Sequence, residues 1–193
     1  MNKNEPTGDI IISIRFIAFS LFVLAGIYPI LVTLYANTFF KGKANGSLVI
    51  NQNKNVASLL ISEDYTNLDL FQSRPSATHY QTIPSGASNL SRTSEDLKLL
   101  VIERKNKLRE RGIDTNMCPE LLYASASGLD PHITTLCAIE QAQTLSNKHK
   151  IEKDILNNLI HKNTESSILG MMGRERVNVV NLNIDLRNLL NVR

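Results

Sequence analysis

The residues best suited to chemistry fall in two short stretches, Arg74 to Thr78 (RPSAT) and Ala124 to Ile133 (ASASGLDPHI). The second places Ser125 and Ser127 just ahead of Asp130 and His132, the side-chain types of acyl transfer. A nucleophilic serine needs a base at a recognised spacing and a frame such as GxSxG or SxxK, and the chain has neither. Asp130 before Pro131 reads instead as the N-cap and first-turn pair of a helix. His79, His132, His149 and His161 never fall at i, i+4 and have no cysteine or acidic partners at ligand spacing, so no metal site is expected. A GxxxxGK[ST] loop for phosphate is also absent. Arg74 offers a planar fork to an anion or to a partner's carboxylate.

Positioning these residues requires a mixed domain. SLVI at 47–50 and VASLLI at 56–61 read as a hairpin around an Asn/Lys-rich turn. From Gln72 to Ser94, 13 of 23 residues are Ser, Thr, Asn, Gly or Pro, too many for a regular element, so a long functional loop is expected. Thr93 or Ser94 then caps a helix with Glu95 and Asp96 in its first turn, ending at Gly112. Leu121 to Ser127 suggests a strand, Gly128 a turn, and Asp130 the start of a helix burying Ile133, Leu136, Cys137 and Leu145. A helix over 151–161 and a strand over 177–182 leading into a short helix complete the expected α+β fold.

Composition is uneven. The 193 residues are 42% hydrophobic and 20% charged, yet Phe16 to Phe40 carries no charge. Twenty helical residues at about 1.5 Å each span the roughly 30 Å of bilayer hydrocarbon. The run is too long for the core of a signal peptide, and Leu34-Tyr35-Ala36 is a poor cleavage site, so an uncleaved anchor is expected. The organisation is then an N-terminal tail at 1–15, a transmembrane helix at 16–36 and a hydrophilic domain at 41–193. Gly26, Pro29 and Thr33 share one helical face of the kind that admits a second transmembrane helix. The flanking lysines and arginines are too evenly divided to set the orientation. A net charge of +3 spread along the chain leaves no basic stripe for nucleic acid. Two cysteines cannot build a disulfide scaffold or a four-ligand zinc site. Cys118 and Cys137 could pair in an oxidising compartment, but Cys137 reads as the buried face of a helix, which weighs against a bond.

GIYP at 26–29, ANGSL at 44–48, FQSRPSAT at 71–78, SGASNL at 85–90, ASASGLDPHI at 124–133 and VNVVNLNIDL at 177–186 occur in one order along nearly the whole chain. In this the chain resembles the C subunits of the bacterial Kdp potassium-transporting ATPases, the KdpC family. Departures from the family pattern are local: Ala57 replaces a glycine, Ser62-Glu63 replaces a strand ending, and Thr144 and His149 stand where basic residues are common. The resemblance implies a single-pass, non-catalytic subunit of the inner membrane, with the tail at 1–15 cytoplasmic, the main domain at 41–193 extracytoplasmic and its span in membrane lipid. Its implied partners are a potassium-translocating subunit, a P-type subunit that hydrolyses ATP, and a small single-span subunit. ATP, magnesium and potassium are used by the complex, and this chain alone holds no cofactor. The family is described both as a catalytic chaperone that promotes ATP binding by the P-type subunit and as an extracytoplasmic cap; the absence of a phosphate site here favours an indirect effect. The interface is expected at Gly26, Pro29, Thr33, Arg74, Ser76, Thr78, Ser88, Asn89, Ser125, Ser127 and Asp130. The competing reading is a membrane-anchored extracytoplasmic hydrolase using Ser125 or Ser127.

Overall fold

The computed structural model describes residues 6–51, 54–66, 69–166 and 173–191. The chain forms two compact units, Met1–Leu48 and Val49–Arg193. The start of the expected tail and the centre of the expected hairpin turn lie outside the described residues.

The first unit is helical: α1 (Pro6–Leu21), a π-helical turn (Phe22–Ile27), α2 (Tyr28–Phe39) and the short α3 (Lys41–Ala44). Pro29 causes the π turn, because it has no N–H to return to the carbonyl four residues back and its ring crowds that carbonyl. The Tyr28 N–H accordingly bonds to the Val23 carbonyl, five residues back. Gly8–Phe39 is 32 residues of helix, long and apolar enough to cross a membrane. At about 1.5 Å per residue it measures roughly 48 Å. The helix therefore runs on at both ends beyond the expected 16–36 span, and residues 8–15 of the expected tail are helical.

The second unit is α+β. β1 (Leu48–Asn51) and β2 (Lys54–Ser58) pair as a two-stranded sheet. The described residues between β2 and α4 (Glu95–Glu110) form no regular element, as the Ser/Thr/Asn/Gly/Pro content of 72–94 requires. The Ser94 side chain accepts from the Leu97 N–H at 3.4 Å and caps α4. At its other end Gly112 adopts φ +76°, which lets the Gly112 and Ile113 amides turn back to Arg109 and Leu108 at 2.9 and 3.0 Å. Ile113 thereby packs into the core with Leu108.

The stretch 119–135 differs from expectation. Pro119–Leu121 is a 3-10 turn, Leu122 to Pro131 is irregular, and β3 (His132–Ile133) precedes α5 (Thr135–His149). No strand forms over 124–127, and Asp130 does not cap a helix. Thr134 does, its hydroxyl accepting from the Cys137 amide at 3.2 Å. The helix starts late because His132 and Ile133 pair antiparallel with Asn178 and Val177 of β5 (Arg176–Asn178), a contact no local pattern reveals. Ile133, Cys137 and Leu145 are buried as expected, whereas Leu136 points outward.

α5 ends at Lys150 in a left-handed conformation, and Ile151 folds into the core as its hydrophobic stop, so the next helix, α6 (Lys153–Lys162), starts two residues later than expected. β4 (Thr164–Glu165) completes the sheet order β3-β5-β4. Val179 to Leu182, expected as strand, is the first turn of α7 (Val179–Asn191). Asn178 explains this, because its side chain accepts from the Asn181 amide at 3.1 Å and caps the helix. Val179, Leu182 and Leu186 then line the buried face at helical spacing. Cys118 and Cys137 form a disulfide with a Cα separation of 4.6 Å. Burial of Cys137 on α5, the reason to doubt a bond, is shared by Cys118 and does not prevent the bond.

Candidate functional site

The site begins with an irregular segment, Leu70 to Pro75, whose first four residues are buried without a neighbouring strand. Two side-chain amides take the strand's place. Gln141 of α5 accepts from the Gln72 N–H at 2.7 Å and donates to its carbonyl at 3.1 Å. Asn183 of α7 does the same for Phe71, at 2.9 Å in both directions. An unpaired buried amide is costly, so these four bonds hold the segment in one register. The Ser73 hydroxyl meets that of Ser62, and the Ser62 amide bonds to the Leu129 carbonyl at 2.9 Å.

This anchored segment delivers Arg74. Its guanidinium reaches Asp130 at 3.4 Å and the Ala124 carbonyl at 3.3 Å, so the arginine expected to seek a partner's carboxylate has one in its own chain. Both side chains are about 30% exposed, and the Arg74 Nε is buried without an acceptor. Ser76 organises the next turn, accepting from the amides of Thr78 and Tyr80 at 3.1 and 2.9 Å. The Tyr80 hydroxyl donates to the Arg74 carbonyl at 3.1 Å, and burial raises its pKa.

Three sequence motifs meet here. The Ser125 amide bonds to the Pro75 carbonyl at 3.0 Å, and Ser85 donates to the Ser127 carbonyl. Gly128, at φ +74°, sits so close to the 85–90 motif that a Cβ would lie 2.8 Å from the Gly86 carbonyl oxygen and 3.0 Å from the Thr78 hydroxyl. Only glycine fits this crossing point. RPSAT, SGASNL and ASASG thus form one surface, with Arg74, Ser76, Thr78, Ser125, Ser127 and Asp130 brought together. Ser88 and Asn89 lie exposed on the 85–90 loop. Gly26, Pro29 and Thr33 belong to the other unit, where a Cβ added at Gly26 would meet only the Phe22 side chain, at 4.0 Å.

The polar groups do not form a catalytic set. Ser125 is 1% exposed, and its hydroxyl faces the Asp130 amide at 3.5 Å. The His132 Nδ1 lies 3.2 Å from Asp130, and its Nε2 lies 3.7 Å from Glu165. Both ring nitrogens face carboxylates and neither faces a serine. Burial would raise the Asp130 pKa, but the hydrogen bonds from the His132 ring and amide, with the charges of His132 and Arg74, outweigh it and hold the carboxyl below its ordinary value. The α5 N-terminus, which could attract a phosphate, is filled by Glu120, which accepts from the Thr134 amide and hydroxyl at 2.8 and 2.7 Å. Sequence reasoning missed Gln141, Asn183 and Glu120, because a polar residue on a helix or turn reads as solvent-facing until its partner is placed.

The class of protein is thus one with an apolar helix of spanning length followed by an α+β domain. The family model described as KdpC, the K+-transporting ATPase c chain, matches residues 10–188. The chain belongs to this family. A potassium-transporting ATPase KdpC subunit of Bacillus cereus (strain G9842) is 37% identical over 96% of this chain and 99% of its own length. Those of Synechocystis sp. and Leptospira interrogans are 36% and 38% identical, covering 93% and 91% of this chain and 98% and 91% of their own.

Proposed function

We propose that this chain is the accessory, non-catalytic subunit of an ATP-driven potassium uptake complex. It docks through the surface built by Arg74, Ser76, Thr78, Ser88, Asn89, Ser127 and Asp130, with Ser125 buried beneath it as support, and through the Gly26, Pro29 and Thr33 face of its membrane helix. The partners are the potassium-translocating subunit, the P-type ATP-hydrolysing subunit and the small single-span subunit. The helix lies in the lipid of the bacterial inner membrane, with its N-terminus cytoplasmic and the α+β domain outside. The Cys118–Cys137 disulfide supports that placement, because such bonds persist in oxidising compartments and are rare in bacterial cytosol.

The observation that carries this reading is the closure of three loops around Gly128. Loops pinned this tightly, without a nucleophile and base in contact, suit recognition rather than turnover. The chain binds no cofactor itself; ATP and magnesium act at the P-type subunit and potassium in the translocating subunit. This chain promotes ATP binding there indirectly, by stabilising the conformation that takes nucleotide better, a coupling between separate sites. The serine-hydrolase alternative is disfavoured by Ser125, whose hydroxyl is sealed against an amide. Co-purification of partner subunits with the tagged full chain tests the proposal. Asn89→Ala and Gly26→Leu should reduce recovery, whereas Leu24→Ile should not. Equal recovery for all three variants would remove both surfaces from assembly.

A further inference from the structure

The Cys118–Cys137 bond is placed where it acts on the docking surface. The ring it closes contains the whole 124–133 motif, with Ser125, Ser127, Gly128 and Asp130. Between the cysteines, regular structure is limited to the Pro119–Leu121 turn, β3 and the first residues of α5. The ring is held otherwise by contacts to distant segments: Leu122 to Arg104 at 2.9 Å, Ser125 to Pro75 at 3.0 Å, Leu129 to Ser62 at 2.9 Å and Pro131 to Val179 at 2.9 Å. A segment with so little local structure loses much entropy on ordering, and a covalent closure removes part of that loss. Both sulfurs are 0% exposed, so no oxidant reaches them once α5 is seated.

We propose that Cys118 and Cys137 are a maturation site: the dithiol substrate of an extracytoplasmic thiol:disulfide oxidoreductase, whose action orders the 119–136 ring before it docks. The inference rests on the docking role given above. One cysteine thiolate attacks the disulfide of the oxidoreductase and forms a mixed disulfide, releasing one enzyme thiolate. The second cysteine attacks that mixed disulfide, closes the Cys118–Cys137 bond and releases the enzyme as a dithiol. Two electrons and two protons pass from the substrate thiols to the oxidoreductase. Because the sulfurs are sealed in the folded domain, the reaction must precede the seating of α5.

The test uses the full chain in membranes. Cysteines are trapped with a maleimide-polyethylene glycol after denaturation, and hydrogen exchange of the 119–134 amides is measured on the purified chain. Chain made without reductant should show no labelled thiol. Chain made with dithiothreitol present during synthesis, and the Cys118→Ala/Cys137→Ala variant, should exchange roughly a hundredfold faster in the ring. α6 should keep its protection in both. Dithiothreitol added after folding should leave the bond intact. Free thiols in the untreated chain, or equal ring protection with and without the bond, would overturn the proposal. Loss of α6 protection together with the ring would overturn its local character. A ring ordered by oxidation in a chain that recovers no partner would instead refute the docking role and leave maturation standing.

Discussion

Replacing Gly128 by alanine tests whether the three loops are one surface. The new Cβ would meet the Gly86 carbonyl oxygen at 2.8 Å and the Thr78 hydroxyl at 3.0 Å, and the residue would have to hold φ +74°. The left-handed conformation costs an alanine about 1 kcal/mol. Overpacking against backbone that cannot rotate away adds roughly 1–3 kcal/mol. The sum, about 2–4 kcal/mol, corresponds to a fall in melting temperature of about 5–15 °C for a domain of this size. Gly86→Ala is the control, because nothing lies within 4 Å of its Cβ position. Thermal melts of the full chain in detergent should place Gly128→Ala well below wild type and Gly86→Ala within about 2 °C of it. Partner recovery should fall for Gly128→Ala, since the loops must part to admit the methyl group. Equal melting temperature and equal recovery for the two variants would refute the claim that the loops are locked at this point.

Asp130→Asn should remove a half-buried ion pair worth about 1 kcal/mol. The folded state holds the Asp130 carboxyl below its ordinary value, so its contribution is complete above the unfolded pKa of about 3.9 and is lost as pH falls through the folded value. The stability gap between wild type and variant should be present at pH 5 and close as pH falls below about 4. Gln141→Leu should leave the Gln72 amide and carbonyl buried and unpaired, costing about 2–4 kcal/mol in a denaturant titration, whereas the exposed Gln143→Leu should cost less than about 0.5 kcal/mol. A membrane-impermeant maleimide on intact cells should label Ser91→Cys and not Asn4→Cys, with the native cysteines silent in their bond; the reverse pattern would invert the topology.

Elements written in local chemistry could be read from the chain. α4 lies between Ser94 and Gly112 because both caps act within a few residues, and the apolar run made the spanning helix plain. Elsewhere two local signals competed and a distant partner decided. Asp130 reads as the cap from its neighbours alone, but pairing of β3 with β5 delays the helix and gives the cap to Thr134. The stretch 177–182 reads as strand, but Asn178 ends the strand after three residues and opens a helix. At the candidate site the motifs were legible and their meeting was not. It depends on Gln141 and Asn183 standing in for a missing strand, and on Gly128 touching a loop some forty residues earlier in the chain. The glycine after ASAS was the available signal, and it announced a turn without naming its neighbour.

The central claim is that this chain acts on the pump without turning over substrate itself. Potassium-stimulated ATP hydrolysis should be measured over a range of ATP concentrations on the partner subunits purified with and without the full chain. The account predicts that the chain lowers the KM for ATP, that Gly128→Ala weakens this effect, and that the chain alone hydrolyses no ATP. An unchanged KM and rate when the chain is present in stoichiometric amount would contradict it.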